Sequence, residues 1–219
     1  MPAEPSRAPV RVEQPAHPAD VREVGYGPDD VPVVPDRYAG LPVLKEKSGR
    51  ADHWNPRLMH PEPSVVYLVD DRYLYVTDDH ARVKHAEGWL GWVPVAKDED
   101  RRNPEAQLEA GEPDRQPNDD GGHLFATKFE GPGESLNLTA QSREQNRMIK
   151  GVPSNWRRLE ETWQALRASG IQVHASIDVK HPNRSSPRPS SRTVTDHHDG
   201  VRSPRRIFRE TKPLGKGAG

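Results

Sequence analysis

Apolar periodicity begins only near residue 64, which confines any sizeable core to the later two thirds of the chain. Residues 1–60 alternate Pro, Ala, Asp and Val with no sustained period of 2 or 3.6. Such a stretch cannot bury enough apolar surface to offset the entropy of ordering it, so a Pro-rich, extended or disordered tail or linker is expected there. The run VPVVPDRYAGLPVL (31–44) can pack locally, but its prolines argue against an interior strand. Over the whole chain 32% of residues are hydrophobic, 30% are charged and 23 are proline, too polar for one core using all 219 residues. The expected division is a segment 1–60, a folded domain 61–212 and a frayed tail 213–219.

Within the domain the patterning mixes strand and helix. SVVYLV and RYLYVTD, joined at Asp70-Asp71, read as a hairpin whose tyrosines and valines supply one face of an antiparallel sheet. ARVKHAEGWLGWVPV continues the strand material, with Gly88 and Gly91 as bends or bulges. A short helix is expected at NPEAQLEAG, capped by Asn103 and ended by Gly111. In PSNWRRLEETWQALRASG (153–170), Trp156, Leu159, Trp163 and Leu166 recur at spacings of three and four. The segment therefore reads as an amphipathic helix, with Ser154 as N-cap and Gly170 as terminator. IQVHASIDVKH then alternates Ile171, Val173, Ala175, Ile177 and Val179 against polar residues, a half-buried strand. SSRTVTDHHDG and RRIFRET read as two further short strands. The fold class is α+β, an antiparallel sheet with one main helix.

Charge is divided along the chain. Residues 1–120 hold 15 Lys and Arg against 24 Asp and Glu, a net −9; residues 121–219 hold 17 against 9, a net +8. A basic second half points to a polyanionic partner, with an acidic first half opposing it. The absence of cysteine excludes disulfides and thiolate metal sites. No apolar run reaches membrane-span length, and the opening residues lack the apolar stretch of a cleaved signal peptide.

One stretch carries residue types that phosphodiester hydrolysis needs: DDGGHLFATKFEGPGESLNLTAQSREQNR, residues 119–147. A general base must take a proton from water, and histidine titrates near neutrality. A cation must neutralise charge on the reacting phosphate, and one carboxamide suffices for a Mg²⁺ ion that keeps most of its waters. Arginine forks suit phosphate oxygens. His123, Asn146 and the arginines at 143, 147, 157 and 158 supply all three. Taken alone, a histidine such as His123 is more often a turn residue bonded to backbone than a catalyst; Asn137 and Gln141 read equally as loop braces, and the arginines as a charged face. His197 and His198, adjacent on a strand, point to opposite faces and read as surface residues rather than a chelating pair.

The whole stretch, followed by NWRRLEETWQ, resembles the DNA/RNA non-specific endonucleases of the His-Me-finger (ββα-metal) superfamily, in the branch found as bacterial toxin domains. The resemblance covers roughly residues 64–210. It implies His123 as the general base and Asn146 as the metal ligand. It further implies Glu160 as the helix glutamate that orients water at the metal, and Arg143 as a catalytic arginine. Asp120, Gly122, Asn137 and Gln141 support the site, and Arg115, Arg147, Arg157 and Arg158 are candidates for phosphate contact. The implied cofactor is Mg²⁺, with Mn²⁺ as a substitute, and the implied substrates are DNA and RNA. A toxin of this kind implies a cognate immunity protein and a delivery module or secretion system. It would be bacterial, and secreted or delivered into target cells without a cleaved signal. A catalytically silent nucleic-acid-binding or toxin-interaction domain on the same scaffold is the alternative.

Overall fold

A computed structural model describes residues 23–93, 101–148 and 155–210. Eight strands form one mixed sheet: β1 (Val43–Glu46), β2 (Val66–Val69), β3 (Tyr73–Thr77), β4 (Val83–Trp89), β7 (Val173–Lys180), β8 (Ser191–His198), β9 (Val201–Arg202) and β10 (Arg206–Arg209). Their order is β1-β2-β3-β4-β7-β8-β10, with β9 also on β8; only β1–β2 is parallel. β2 and β3 meet through Asp70 and Asp71, both in the left-handed region at φ 56° and 55°, the turn geometry that matches strand twist. The two remaining strands, β5 (Asp119–His123) and β6 (Leu138–Ser142), pair with each other alone.

Helices are few: α1 (Pro56–Met59), α2 (Pro104–Glu109), α3 (Arg143–Asn146) and α4 (Trp156–Ala168). Asn103 caps α2 as expected, its Oδ1 accepting from Ala106 N. The N-cap of α4 is Asn155, whose Oδ1 accepts from Arg158 N at 3.0 Å; Ser154, the expected cap, lies outside the described residues. Gly170 follows the helix at φ 84°, as its sequence position predicts.

Trp156, Leu159 and Trp163 of α4 pack with Tyr67, Tyr73, Tyr75, Ala175 and Ile177 in the main core. The connection from β5 to β6 plugs into the same core through Phe125, which stacks on Tyr73 at 4.4 Å between centroids, and Phe129, edge-on to Trp163. The opposite face of the hairpin is buried as well. Val66, Leu68, Leu74 and Val76 lie under Val34, Tyr38 and Leu41.

Two readings are thereby corrected. The hairpin has two apolar faces rather than one, and residues 23–60 are packed on the domain rather than trailing from it. They add β1 as a parallel edge strand, the one sheet position that their prolines permit. Residues 1–22 and 211–219 lie outside the described residues. The irregularity in the β3–β4 pairing falls at Val76/Thr77 and not at Gly88, which is instead a close approach: a Cβ there would stand 2.6 Å from the Tyr73 ring. Among the described residues no helix is long and apolar enough to cross a membrane.

Candidate active site

The antiparallel pair β5–β6 and the short helix α3 that follows it form one continuous unit. Its register sets His123 opposite Leu138, Asp120 opposite Gln141 and Asp119 opposite Ser142. His123 ends β5 and is half-buried. Gln141 is fully buried on the partner strand, and its Nε2 donates to the His123 carbonyl at 3.2 Å. That contact explains Gly122: a Cβ on it would lie 2.2 Å from the Gln141 carboxamide carbon. Gly121 is as confined, since its Cβ would lie 2.0 Å from the Gln107 carbonyl oxygen of α2. The glycine pair lets a buried amide and a helix backbone close on the strand that carries the histidine.

Asp120 organises the other end. Its carboxylate accepts from Arg147 through Nε (2.6 Å) and Nη2 (2.7 Å), and from Asn146 Nδ2 at 3.2 Å; Arg143 Nε lies 3.6 Å away. Burial opposes ionisation of Asp120, but the hydrogen bonds from Arg147 and Asn146 and the charges of Arg147 and Arg143 prevail. They hold the carboxyl below its ordinary range. With Nδ2 of Asn146 bonded to an anion, its Oδ1 is the atom left to ligate a cation. A cleft of about 420 Å³ opens here, lined by Gln107, Leu108, Arg115, Asp120, Asn146 and Arg147. Among the described residues no group of three or more His, Asp or Glu is arranged to hold a metal. A Mg²⁺ ion that keeps most of its waters needs few protein ligands, and one amide oxygen at this cleft fits such an ion, whereas a closed zinc site needs four protein ligands.

Glu160 lies on α4 with little exposure. Burial pushes its carboxyl up, against the charges of Lys128, Arg157 and Arg192. Arg157 approaches Glu160 at 3.5 Å and Glu161 at 3.6 Å, while Arg158 is exposed on the same turn. Three polar residues near the site brace the fold instead. Asn137 is fully buried: its Oδ1 accepts from Phe125 N and Tyr75 Oη, and its Nδ2 donates to the carbonyls of Phe125 and Pro132. Arg115 donates to the carbonyls of Gln107, Ala110 and Asp119, so its guanidinium ties the approach to β5 together while lining the cleft. Asp119 is sealed inside against Arg188, in a two-point pair at 2.5 and 2.9 Å.

Sequence reasoning missed Arg188, Arg192, Glu210 and Asn155. The first three are charges that composition assigns to the surface, and their partners lie 18 to 69 residues away. Asn155 did carry a signal: it is a cap-forming residue directly before the helix. Its Nδ2 also donates to the carbonyls of Glu144 and Arg147, so one side chain starts α4 and closes α3.

A family described as DNA/RNA non-specific endonuclease has a model that matches residues 63–200. The type VII secretion system protein EssD of Staphylococcus aureus, in strains USA300 and NCTC 8325, is 37% identical over 146 residues. The match covers 66% of this chain and 23% of that protein, so the chain spans about a quarter of the length of these relatives. The magnesium-bound crystal structure of NucA from Streptococcus agalactiae superposes with a TM-score of 0.51 at 15% identity. It covers 64% of this chain and 72% of that one, a likeness of fold.

Proposed function

Because this chain belongs to the DNA/RNA non-specific endonuclease family, we propose that it hydrolyses phosphodiester bonds of DNA and RNA, with His123 as general base and Asn146 as metal ligand. The observation that carries the reading is the Asp120–Asn146 contact at 3.2 Å, which orients the amide at the end of the β5–β6–α3 unit. The magnesium ion bound to NucA supports the choice of Mg²⁺, with Mn²⁺ as its substitute. Bound at Asn146, the ion supplies charge neutralisation at the phosphorane and the departing 3′ oxygen.

The chain's own residues do the rest. His123, its strand held by Gln141, takes a proton from water, which attacks phosphorus in line and leaves 5′ phosphate and 3′ hydroxyl ends. Asp120 keeps the Asn146 amide turned outward. Glu160, whose burial favours the protonated form, orients solvent beside the reacting phosphate. Arg143, half exposed and only loosely paired with Asp120, is the arginine best placed to meet a phosphate oxygen, because Arg147 is committed to that carboxylate at two points. Similarity to a type VII secretion system protein supports delivery through a secretion system; a nuclease toxin so delivered would be guarded in its producer by an immunity protein.

His123→Ala is expected to lose plasmid nicking by about 10²–10⁴-fold, the usual contribution of a positioned base, with an unchanged thermal transition. Chelator should stop the wild type. Nicking that survives both treatments removes the reading; DNA binding that persists in chelator with no cleavage under any metal favours a silent binding domain.

A further inference from the structure

Glu210 and Arg192 have no exposed side-chain surface, yet both carry charge. Glu210 Oε1 accepts from Arg192 Nη2 at 2.5 Å, and its Oε2 accepts from the backbone N of Ser142 at 2.7 Å. Glu210 is itself pinned, its N donating to the Ser190 carbonyl at 3.0 Å. The Arg192 guanidinium lies 4.5 Å over the Trp156 ring, and its Nη1 reaches Thr139 Oγ1 at 3.4 Å. Ser142 is the residue from which α3 starts, and Trp156 is the first residue of α4. One carboxylate and one guanidinium from the main sheet's far edge thus hold the starts of both site helices.

Stability alone is a poor reason for such a pair. Desolvating two charges costs about what their attraction returns, and a well-packed apolar pair of similar volume often serves the fold as well. What apolar packing cannot supply is direction. Carboxylate, amide and guanidinium meet at set angles, and the ring beneath the guanidinium sets a plane.

We propose that Glu210 is a positioning residue for metal binding: through Ser142 and Arg192 it fixes the start of α3 against the start of α4, and so the relation between Asn146 and Glu160. This rests on the metal role proposed above for Asn146. Arg192 is also among the charges acting on the Glu160 carboxyl, so the pair stands beside that residue too.

The test titrates Mn²⁺ calorimetrically into the full chain without nucleic acid, and measures the Mn²⁺ concentration giving half-maximal plasmid nicking. Glu210→Gln cannot satisfy both donors with acceptor oxygens, and should weaken Mn²⁺ binding by about tenfold or more, the usual cost of losing a group that orients a ligand. The metal requirement for nicking should rise in parallel at unchanged KM for DNA. The double change Arg192→Met with Glu210→Met removes both charges together, preserves packing and should weaken Mn²⁺ binding equally. A purely structural role would lower the number of competent molecules at an unchanged dissociation constant. Wild-type Mn²⁺ affinity in either folded variant overturns the proposal. If His123→Ala stays active, the catalytic reading fails while the titration still reports on Glu210. If His123→Ala is dead and Glu210→Gln binds Mn²⁺ normally, only the positioning role falls.

Discussion

At Gly122 the absence of a side chain is what allows Gln141 to reach the His123 carbonyl. Gly122→Ala would drive a methyl into a fully buried amide, with Cβ 2.2 Å from its carbon. Overpacking of this kind costs about 1–3 kcal/mol, and the relief available is for Gln141 to leave the carbonyl it holds. The variant should therefore melt earlier and nick plasmid more slowly than its loss of folded protein explains; equal activity per folded molecule would show that Gln141 does not position His123. The family resemblance that singled out His123, Gln141 and Asn146 was readable in the sequence because the stretch that carries it is one local strand–strand–helix unit. For Asn137 the sequence left bracing and direct function both open. Its four hydrogen bonds serve the connection from β5 to β6, and only packing distinguishes a brace from a ligand when both are asparagine.

Elements, rather than residues, decide how α3 is held. It is a single turn, too short to be stable by itself, and is fixed by Glu210 at its start and Asn155 at its end. Asn155→Ala removes a cap whose loss typically costs about 1 kcal/mol, and also frees the carbonyls of Glu144 in α3 and of Arg147 just after it. It should lower the melting temperature and raise the Mg²⁺ requirement together, whereas a change in melting alone would confine Asn155 to capping α4. On the sheet's other face, His174 of β7 is buried beneath Tyr26, whose hydroxyl bonds its Nε2 at 2.9 Å. Burial lowers its pKa to about 4, so it stays neutral in the folded chain while the unfolded chain takes up protons below about 6.5. This contribution is whole above pH 6.5 and is lost as pH falls, about 2 kcal/mol between pH 6.5 and 5. His85 acts in the opposite sense. Burial lowers its pKa, but its hydrogen bonds to Asp178 and Glu87 prevail and raise it, so its contribution is present at low pH and lost as pH rises. The comparison that isolates His174 is His174→Gln against wild type. The variant should lose less stability between pH 7 and 5, and parallel losses would show that His174 is not buried as a neutral group.

Across the whole molecule, the acidic first half and basic second half are folded into each other rather than set apart. Glu134 of the site connection accepts from the backbone nitrogens of Gly49 and Asn55, and Arg188 of the second half pairs with Asp119 of the first. A chain beginning at residue 61, the boundary that periodicity implies, would uncover Val66, Leu68, Leu74 and Val76 and strip β1 from the sheet edge. It should be less stable by several kcal/mol and prone to associate, at about 1.5–3 kcal/mol for each large apolar side chain fully re-exposed. Equal stability of this truncation and one beginning at residue 23 would make residues 23–60 dispensable. By itself the sequence determined what is local: the α+β class, the hairpin turn and the amphipathic α4, because periods and turn chemistry act over a few residues. Tertiary structure alone decided which charges go inside and what covers the second face of the sheet. Arg188 with Asp119, and Arg192 with Glu210, are ordinary surface residues until the fold supplies each a partner. No periodicity records a pairing across that much chain, and burial of a charge is tolerable only where the partner already stands.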